Sequence, residues 1–472
     1  MAKKEINNRW LALGVLCLGT LMEVLDTTIV NVALPSIRTD LGFSAASLAW
    51  VVNAYLLTFG GFLLLGGRLG DLFGHRKLFL IGISCFTIAS LACGLAQTQW
   101  FLIAARALQG VGGAVTSAVS LSLVMNLFTK HGERAKAMGY FGFVAAGGGS
   151  VGVLLGGLLT TLNWHLIFLV NIPLGIAVII LSLLLLPTER IHISSRNLDI
   201  FGALTVTSSL LLAVYAIVNG NEAGWLSSQT LGLLAASVVL MGVFLWVESH
   251  ISTPLVPLSL FKNLNVTVAN IVGVLWAAAM FAWFFLSTLY LQLVLGFKPL
   301  EVGLAFLPAN LIMGAFSVGL SARIVMRYGI KIPLAVGLSL AAIGLVLFAR
   351  APLHGSFLTD VLPSMILLGV GAGMAFNPVL LAAMSDVKPE ESGLASGLVN
   401  TSFMMGGALG LAILASLAAS QTMGLISAGS NQQEALNSGY HVAFLAGAFC
   451  AGLAAFLGAK FLKINPEMLY NH

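Results

Sequence analysis

Runs of about twenty apolar residues, each long enough to cross a hydrocarbon core of roughly 30 Å as a helix, recur from one end of the chain to the other. In a bilayer the backbone must satisfy its own hydrogen bonds, so such runs fold as helices packed side by side. The polar breaks between them are short and leave no room for a soluble domain. Hydrophobic residues make up 58% of the 472 positions and charged residues 8%, whereas a water-soluble globule carries roughly a quarter charged. The class is therefore an all-α membrane protein. The first run, after MAKKEINNRW, is long enough to span and lacks a small-residue cleavage site behind it, so we read it as a retained helix.

Apolar runs between polar breaks place spans at 10–33, 46–66, 77–96, 101–123, 137–160, 164–186, 199–218, 229–247, 266–294, 302–322, 332–348, 359–383, 394–420 and 442–461, fourteen in all. With a cytoplasmic N-terminus, eighteen of the 22 lysines and arginines fall on inner segments and three, Arg38, Lys298 and Arg350, on outer ones. The positive-inside rule then puts both termini in the cytoplasm. The net charge of +5 is accordingly a topology signal and points to no nucleic acid. Cys17, Cys85, Cys93 and Cys450 lie in apolar runs without metal-site or disulfide spacing and are read as packing residues. His165, at the outer start of the sixth span, is read as interfacial.

Two acids stand inside the first span. Glu23 and Asp26 are three residues apart and share one helix face. A charge at the bilayer centre costs roughly 2.5 to 3.5 kcal/mol even on lenient scales, so such acids normally face a cavity and carry function. A buried carboxyl suits a proton carrier. Arg106 is the one basic residue inside a span, and a guanidinium there needs an acidic or carbonyl partner. Two readings stand side by side: Arg106 tunes the acids, or it only ties the fourth helix to the first.

The second half of the chain repeats the first. Gly139, Gly148 and Gly152 recur as Gly397, Gly406 and Gly410, each 258 positions later, and Glu133 recurs as Glu391. LGF at 41–43 returns at 295–297, and LQGVG from Leu108 returns as LLGVG from Leu367. The pattern gives an N-terminal six-helix bundle over 1–190, a linker with two inserted helices over 191–262, and a C-terminal six-helix bundle over 263–472. Facing repeats of this kind place a solute site at mid-membrane and expose it alternately by rocking.

The loop after the second span reads GGRLGDLFGHRK, 66–77. Its glycines allow close approach of two helix ends, Asp71 can accept from helix N-termini or a basic partner, and Arg76 holds the inner face. We read Gly67, Asp71, Gly74 and Arg76 as a conformational latch. The counterpart at 319–331 keeps Arg323, Gly329 and Lys331 but has Met326 in the acid's place, so the latch is asymmetric.

That loop resembles the signature of the major facilitator superfamily, and further segments resemble its fourteen-span drug:proton antiporter branch. These are LDTTIVNVALPSI at 25–37, RALQGVGGA at 106–114, IFLVNIPLG at 167–175 and YLQLVLGF at 290–297. Gly139, Gly148, Gly152, Gly156 and Gly157 match the glycines of the branch's fifth-span antiporter motif, with Val153 where that motif usually has proline. The resemblance implies the major facilitator fold, a proton-coupling role for Arg106 and a partly architectural role for Asp26; the proton-coupling role of Asp26 and Glu23 is read from their place inside the span. It also implies that Gly148, Gly152, Gly156 and Gly157 act with the latch.

Aromatic and methionine surfaces suit amphipathic or cationic solutes. Candidates for substrate contact are Glu23, Trp50, Asn53, Tyr55, Phe281, Trp283, Gln292, Asn310, Asn400 and Met404. The chain has no GxxxxGK[ST] loop, so energy comes from a gradient. One proton moving through 100 mV supplies about 2.3 kcal/mol, more than the roughly 1.4 kcal/mol of a tenfold solute gradient. The expected function is a proton-coupled exporter of small amphipathic or cationic compounds in the cell (inner) membrane. It is expected to be monomeric, in contact with membrane lipid, and to use no cofactor or metal beyond the coupling protons. Symport, or export of a specific metabolite or lipid-like solute, uses the same acids. A membrane enzyme would need clustered acids, histidines or a nucleophile at one interface, which the sequence lacks.

Overall fold

The structure is a computed structural model that describes residues 2–128, 130–187, 199–251, 254–385, 387 and 391–463. The first six helices are α1 (Ala2–Leu41), α2 (Trp50–Phe73), α3 (His75–Gly94), α4 (Gln99–Leu127), α5 (His131–Leu162) and α6 (Leu166–Leu185). Two more, α7 (Ile200–Ala223) and α8 (Ser228–His250), form a hairpin. The last six are α9 (Leu264–Val294), α10 (Pro299–Ala315), α11 (Lys331–Phe348), α12 (Phe357–Met384), α13 (Ser392–Ser427) and α14 (Gln432–Phe461). The expected boundary at 190/191 and the basic residues Arg190, Arg196 and Lys388 lie outside the described residues.

Thirteen of these helices are long and apolar enough to cross a membrane by themselves. The other is α10, and the difference has a local cause. After 17 residues it passes into a π turn at Phe316–Leu320, in which Gly319 takes φ 131°, and then continues as Ser321–Tyr328. That backbone conformation is open to glycine and strained for other residues. It divides the expected 302–322 span into two helical pieces.

Short polar side chains fix where helices begin. Asp199 accepts from the Gly202 amide at 2.7 Å at the head of α7, Ser227 from Thr230 at 3.2 Å before α8, and Asn431 from Gln433 at 3.1 Å before α14. Each satisfies a backbone N–H that the helix itself cannot.

Helix-to-helix register is set by glycines. Along α5, a side chain at Gly148 would meet Val24, one at Gly152 would meet Thr28, and one at Gly156 would lie 2.9 Å from the Ile29 carbonyl. Three successive turns of α5 thus seat three successive turns of α1, the helix that carries both acids, at a spacing only glycine permits. The glycines 258 positions on do the same in the second bundle: Gly406 abuts Val274 and Gly410 abuts Ala278, both on α9. At these two positions the repeat seen in the sequence is a repeat of packing, whereas Gly139 has no close neighbour and its counterpart Gly397 meets Leu64. Gly157 turns to the other bundle, against Leu300 and Pro299 at the outer end of α10.

The two bundles also meet where α2 lies on α13, with Gly60 against Met404 and Met405, and Gly397 against Leu64. The inserted hairpin covers that seam. On the α2 side, Thr207 of α7 sits over Gly61, and Tyr215 lies 6.3 Å from Trp50, centroid to centroid. On the α13 side, the Asn221 amide donates to the Ser416 carbonyl at 2.8 Å, and the Ser416 hydroxyl donates to the Ile217 carbonyl at 3.2 Å. Helix α7 therefore grips one helix of each bundle.

Candidate functional site

Asp26, on α1, is fully buried. Its Oδ2 accepts from Arg106 Nη1 at 2.5 Å, and its Oδ1 accepts from Gln109 Nε2 at 2.7 Å and Asn171 Nδ2 at 3.0 Å. Arg106 is equally committed. Its Nη1 also donates to Gln109 Oε1 at 2.6 Å and its Nε to the Val51 carbonyl at 2.9 Å. The guanidinium stacks over the Tyr55 ring at 4.6 Å and lies 5.6 Å from the Phe168 ring. Gln109 donates further to Ser90 at 2.8 Å and takes the Cys93 thiol at 3.7 Å. The result is a charge-neutral knot that joins α1, α2, α3, α4 and α6 at the centre of the first bundle. A buried ion pair is tolerable only when its remaining donors and acceptors are satisfied in this way.

Glu23, one turn earlier, is outside the knot. It is 7% exposed, takes a hydrogen bond from Ser117, and keeps Oε1 without a partner among the described residues. Its carboxylate lies within electrostatic reach of Tyr55, the ring beneath Arg106. With Asp26 and Arg106 cancelling, Glu23 supplies the uncompensated charge of the first bundle's interior. Such a group is stable only when it holds a proton or faces a cation.

Other expected contact residues separate into two sets. Among the described residues, Asn53 is fully buried with neither amide atom paired, and Asn310 is buried with Nδ2 unpaired. Asn400 lines a cavity of the second bundle with Trp276, Phe376, Val379, Leu380, Val399 and Phe403. Phe281 borders this group, its ring 5.9 Å from that of Phe403. In the second set, each side chain has a packing or tethering partner. Trp50 faces Tyr215 of the inserted hairpin, and Met404 packs on Gly60 at the seam. Trp283 stacks within the second bundle on Phe284 and Phe306. Gln292 donates to the Val32 carbonyl at 2.8 Å and so tethers α9 to α1.

At the expected latch, Asp71 is 58% exposed and pairs at 3.4 Å with His75, four residues on. The tie to another helix comes from Arg76, which donates to the Leu183 carbonyl of α6 at 2.8 Å. Gly74, at φ 93°, makes the turn between α2 and α3. Gly67 has only an ordinary contact with Ala118.

Residues 16–411 match the Major Facilitator Superfamily. The chain belongs to that family. The names of its relatives are those of transporters, and this chain is a multi-pass membrane protein. It is 37% identical to the puromycin resistance protein pur8 of Streptomyces alboniger over 449 residues, 94% of this chain and 89% of that one. It is likewise 37% identical over 417 residues to the cephamycin export protein CmcT of Amycolatopsis lactamdurans, covering 88% and 86% of the two chains. Among solved structures, the POT family transporter PepTSo superimposes with a TM-score of 0.70 at 15% identity over 95% of this chain and 97% of that one, a likeness of fold.

Within this major facilitator fold, sequence reading singled out Asp26, Glu23 and Arg106 and passed over Gln109, Asn171, Ser90 and Ser117. The signal for the missed residues was present. Gln109 and Asn171 are amides inside apolar runs, where an unpaired polar group is costly.

Proposed function

We propose that the chain is an exporter that exchanges small amphipathic or cationic compounds for protons by alternating access, with Glu23 as the exchange site. The observation that carries this reading is the unequal state of the two acids. Asp26 has both oxygens occupied by Arg106, Gln109 and Asn171, whereas Glu23 is buried with one oxygen unpaired. A proton and an organic cation are alternative ways to neutralise that carboxylate, and competition for one charge is the simplest coupling between two opposed fluxes. Asp26 and Arg106 hold the geometry.

The second bundle supplies the apolar side of the substrate site through Trp276, Phe376, Asn400 and Phe403. Alternating access would come from rocking of residues 1–190 against 263–472, with Gly157, Gly74 and Arg76 at contacts that must reform in each state. The names of the relatives, puromycin resistance and cephamycin export, support export of small drug-like molecules. No cofactor besides the coupling proton enters this mechanism.

Inside-out vesicles loaded to an acidic interior test it. Adding a lipophilic cation should release protons from wild-type vesicles, and Glu23→Gln should abolish that release while leaving the protein folded. Proton and substrate entering together would replace exchange with symport.

A further inference from the structure

The inserted hairpin holds two buried acids that the exchange site does not use. Asp199 stands at the cytoplasmic head of α7 and Glu248 near the cytoplasmic end of α8, each 4% exposed. Asp199 Oδ1 accepts from the Gly202 amide at 2.7 Å, and Glu248 Oε2 accepts from the Val256 amide at 3.0 Å. The remaining oxygens, Asp199 Oδ2 and Glu248 Oε1, have no donor among the described residues. Both converge on the Cα of Gly202, where an added Cβ would lie 2.8 Å from Glu248 Oε1 and closer still to Asp199 Oδ2. The two side chains are within hydrogen-bonding reach of each other.

Two ionised carboxylates are acceptors only and cannot bond to one another. No lysine, arginine or histidine pairs with either among the described residues. His250 on α8 turns its ring to Trp246 and Ser249, and Lys262 beyond Val256 is exposed. Arg68 and Asp71 on α2 and Glu391 at the head of α13, the helices packed on α7, make no ion pair with the two acids among the described residues. A divalent cation would take six or more oxygens, and no group of three metal-binding side chains occurs among the described residues. The ligand that completes the geometry is one proton, shared between Oδ2 and Oε1 as in other buried carboxyl pairs.

We propose that Asp199 and Glu248 form a second proton-binding site, a carboxyl–carboxylate pair that clasps the cytoplasmic base of the α7–α8 hairpin to the segment entering the second bundle. With the proton in place, the Gly202 and Val256 amides, α7 and α8 are held together. Without it, two like charges face each other out of water and the clasp opens. Because α7 grips α2 through Gly61 and α13 through Ser416, the clasp loads the seam along which the two bundles must move. Cytosolic pH would thereby bias the transporter from outside its central site, whichever direction the substrate travels.

Infrared spectroscopy of the purified protein in lipid, with hydrogen exchange at the Gly202 and Val256 amides, tests the clasp. Wild type should show a protonated-carboxyl band at neutral pH that disappears in both Asp199→Asn and Glu248→Gln. Its two amides, corrected for intrinsic rates, should exchange several-fold faster once alkaline pH removes the proton. Glu248→Gln offers a permanent donor and should abolish that step with the amides protected, whereas Glu248→Ala should leave them fast at every pH. The proposal is overturned if both amide variants keep the wild-type carboxyl bands, if Glu248→Gln keeps the pH step, or if magnesium or calcium alone protects the amides at alkaline pH.

Discussion

The interiors of the two bundles are laid out on the same glycine register and filled with different chemistry. In α1–α6 the buried set includes Glu23, Asp26, Arg106, Gln109 and Asn171; in α9–α14 no charged side chain is buried among the described residues, and Trp276, Trp283, Phe285, Tyr290 and Phe306 take the space. Yet Gly148 and Gly152 seat α1 as Gly406 and Gly410 seat α9. Backbone approach is what duplication preserved, since a helix pair at that spacing tolerates no side chain at those points. The side chains between the contacts were free to diverge. One bundle holds buried charge in its interior, the other an apolar and aromatic wall. On the function proposed above, coupling and substrate breadth would reside on opposite sides of the seam.

The largest effect should come from the knot itself. Asp26→Leu strands the Arg106 guanidinium and should cost about 3–5 kcal/mol of stability, read as a lowered unfolding midpoint. Asp26→Leu with Arg106→Leu should recover much of that loss, and a single variant as stable as wild type would remove the knot as the organiser of the first bundle. Next come the shared glycines. Gly156→Leu against Ile29 and Gly406→Leu against Val274 should each cost about 1–3 kcal/mol through overpacking, and a tolerant second bundle would break the equivalence. Glu23→Gln should leave the unfolding midpoint in place and reduce transport of cations at least about tenfold, equivalent to roughly 1.4 kcal/mol. The smallest change belongs to the aromatic wall. Phe403→Ala should weaken binding of aromatic substrates by about 0.5–1.5 kcal/mol and shift the substrate range with proton exchange intact.

Much of this was legible before any coordinates. Span number follows from runs of apolar residues, because a bilayer of fixed thickness imposes one length on every crossing. The repeat was legible through glycines, whose role is local to the backbone. The break after α10 was not, since Gly319 resembles any other glycine until its φ is known. Partner choice was also hidden. Gln292 read as a substrate contact, but its amide tethers α9 to Val32, and Trp50 faces the inserted hairpin; a side chain's neighbour depends on helix rotation, which apolar flanks on every side do not report. The insertion itself was visible as two extra spans, while its grip on α2 and α13 rests on Thr207, Asn221 and Tyr215, ordinary residues on a membrane helix.

The two acids of α1 mark the division most clearly. Sequence alone determined that both lie in a membrane helix, on one face, and that Arg106 requires a partner, because desolvating a charge is costly wherever in the bundle it sits. Which acid that partner would be was decided by tertiary structure. The donors that saturate Asp26 come from α4 and α6, 80 to 145 positions along the chain, and they reach Asp26 because the α5 glycines hold α1 in register. Glu23, one turn away, lies beyond their reach and keeps an oxygen unpaired among the described residues.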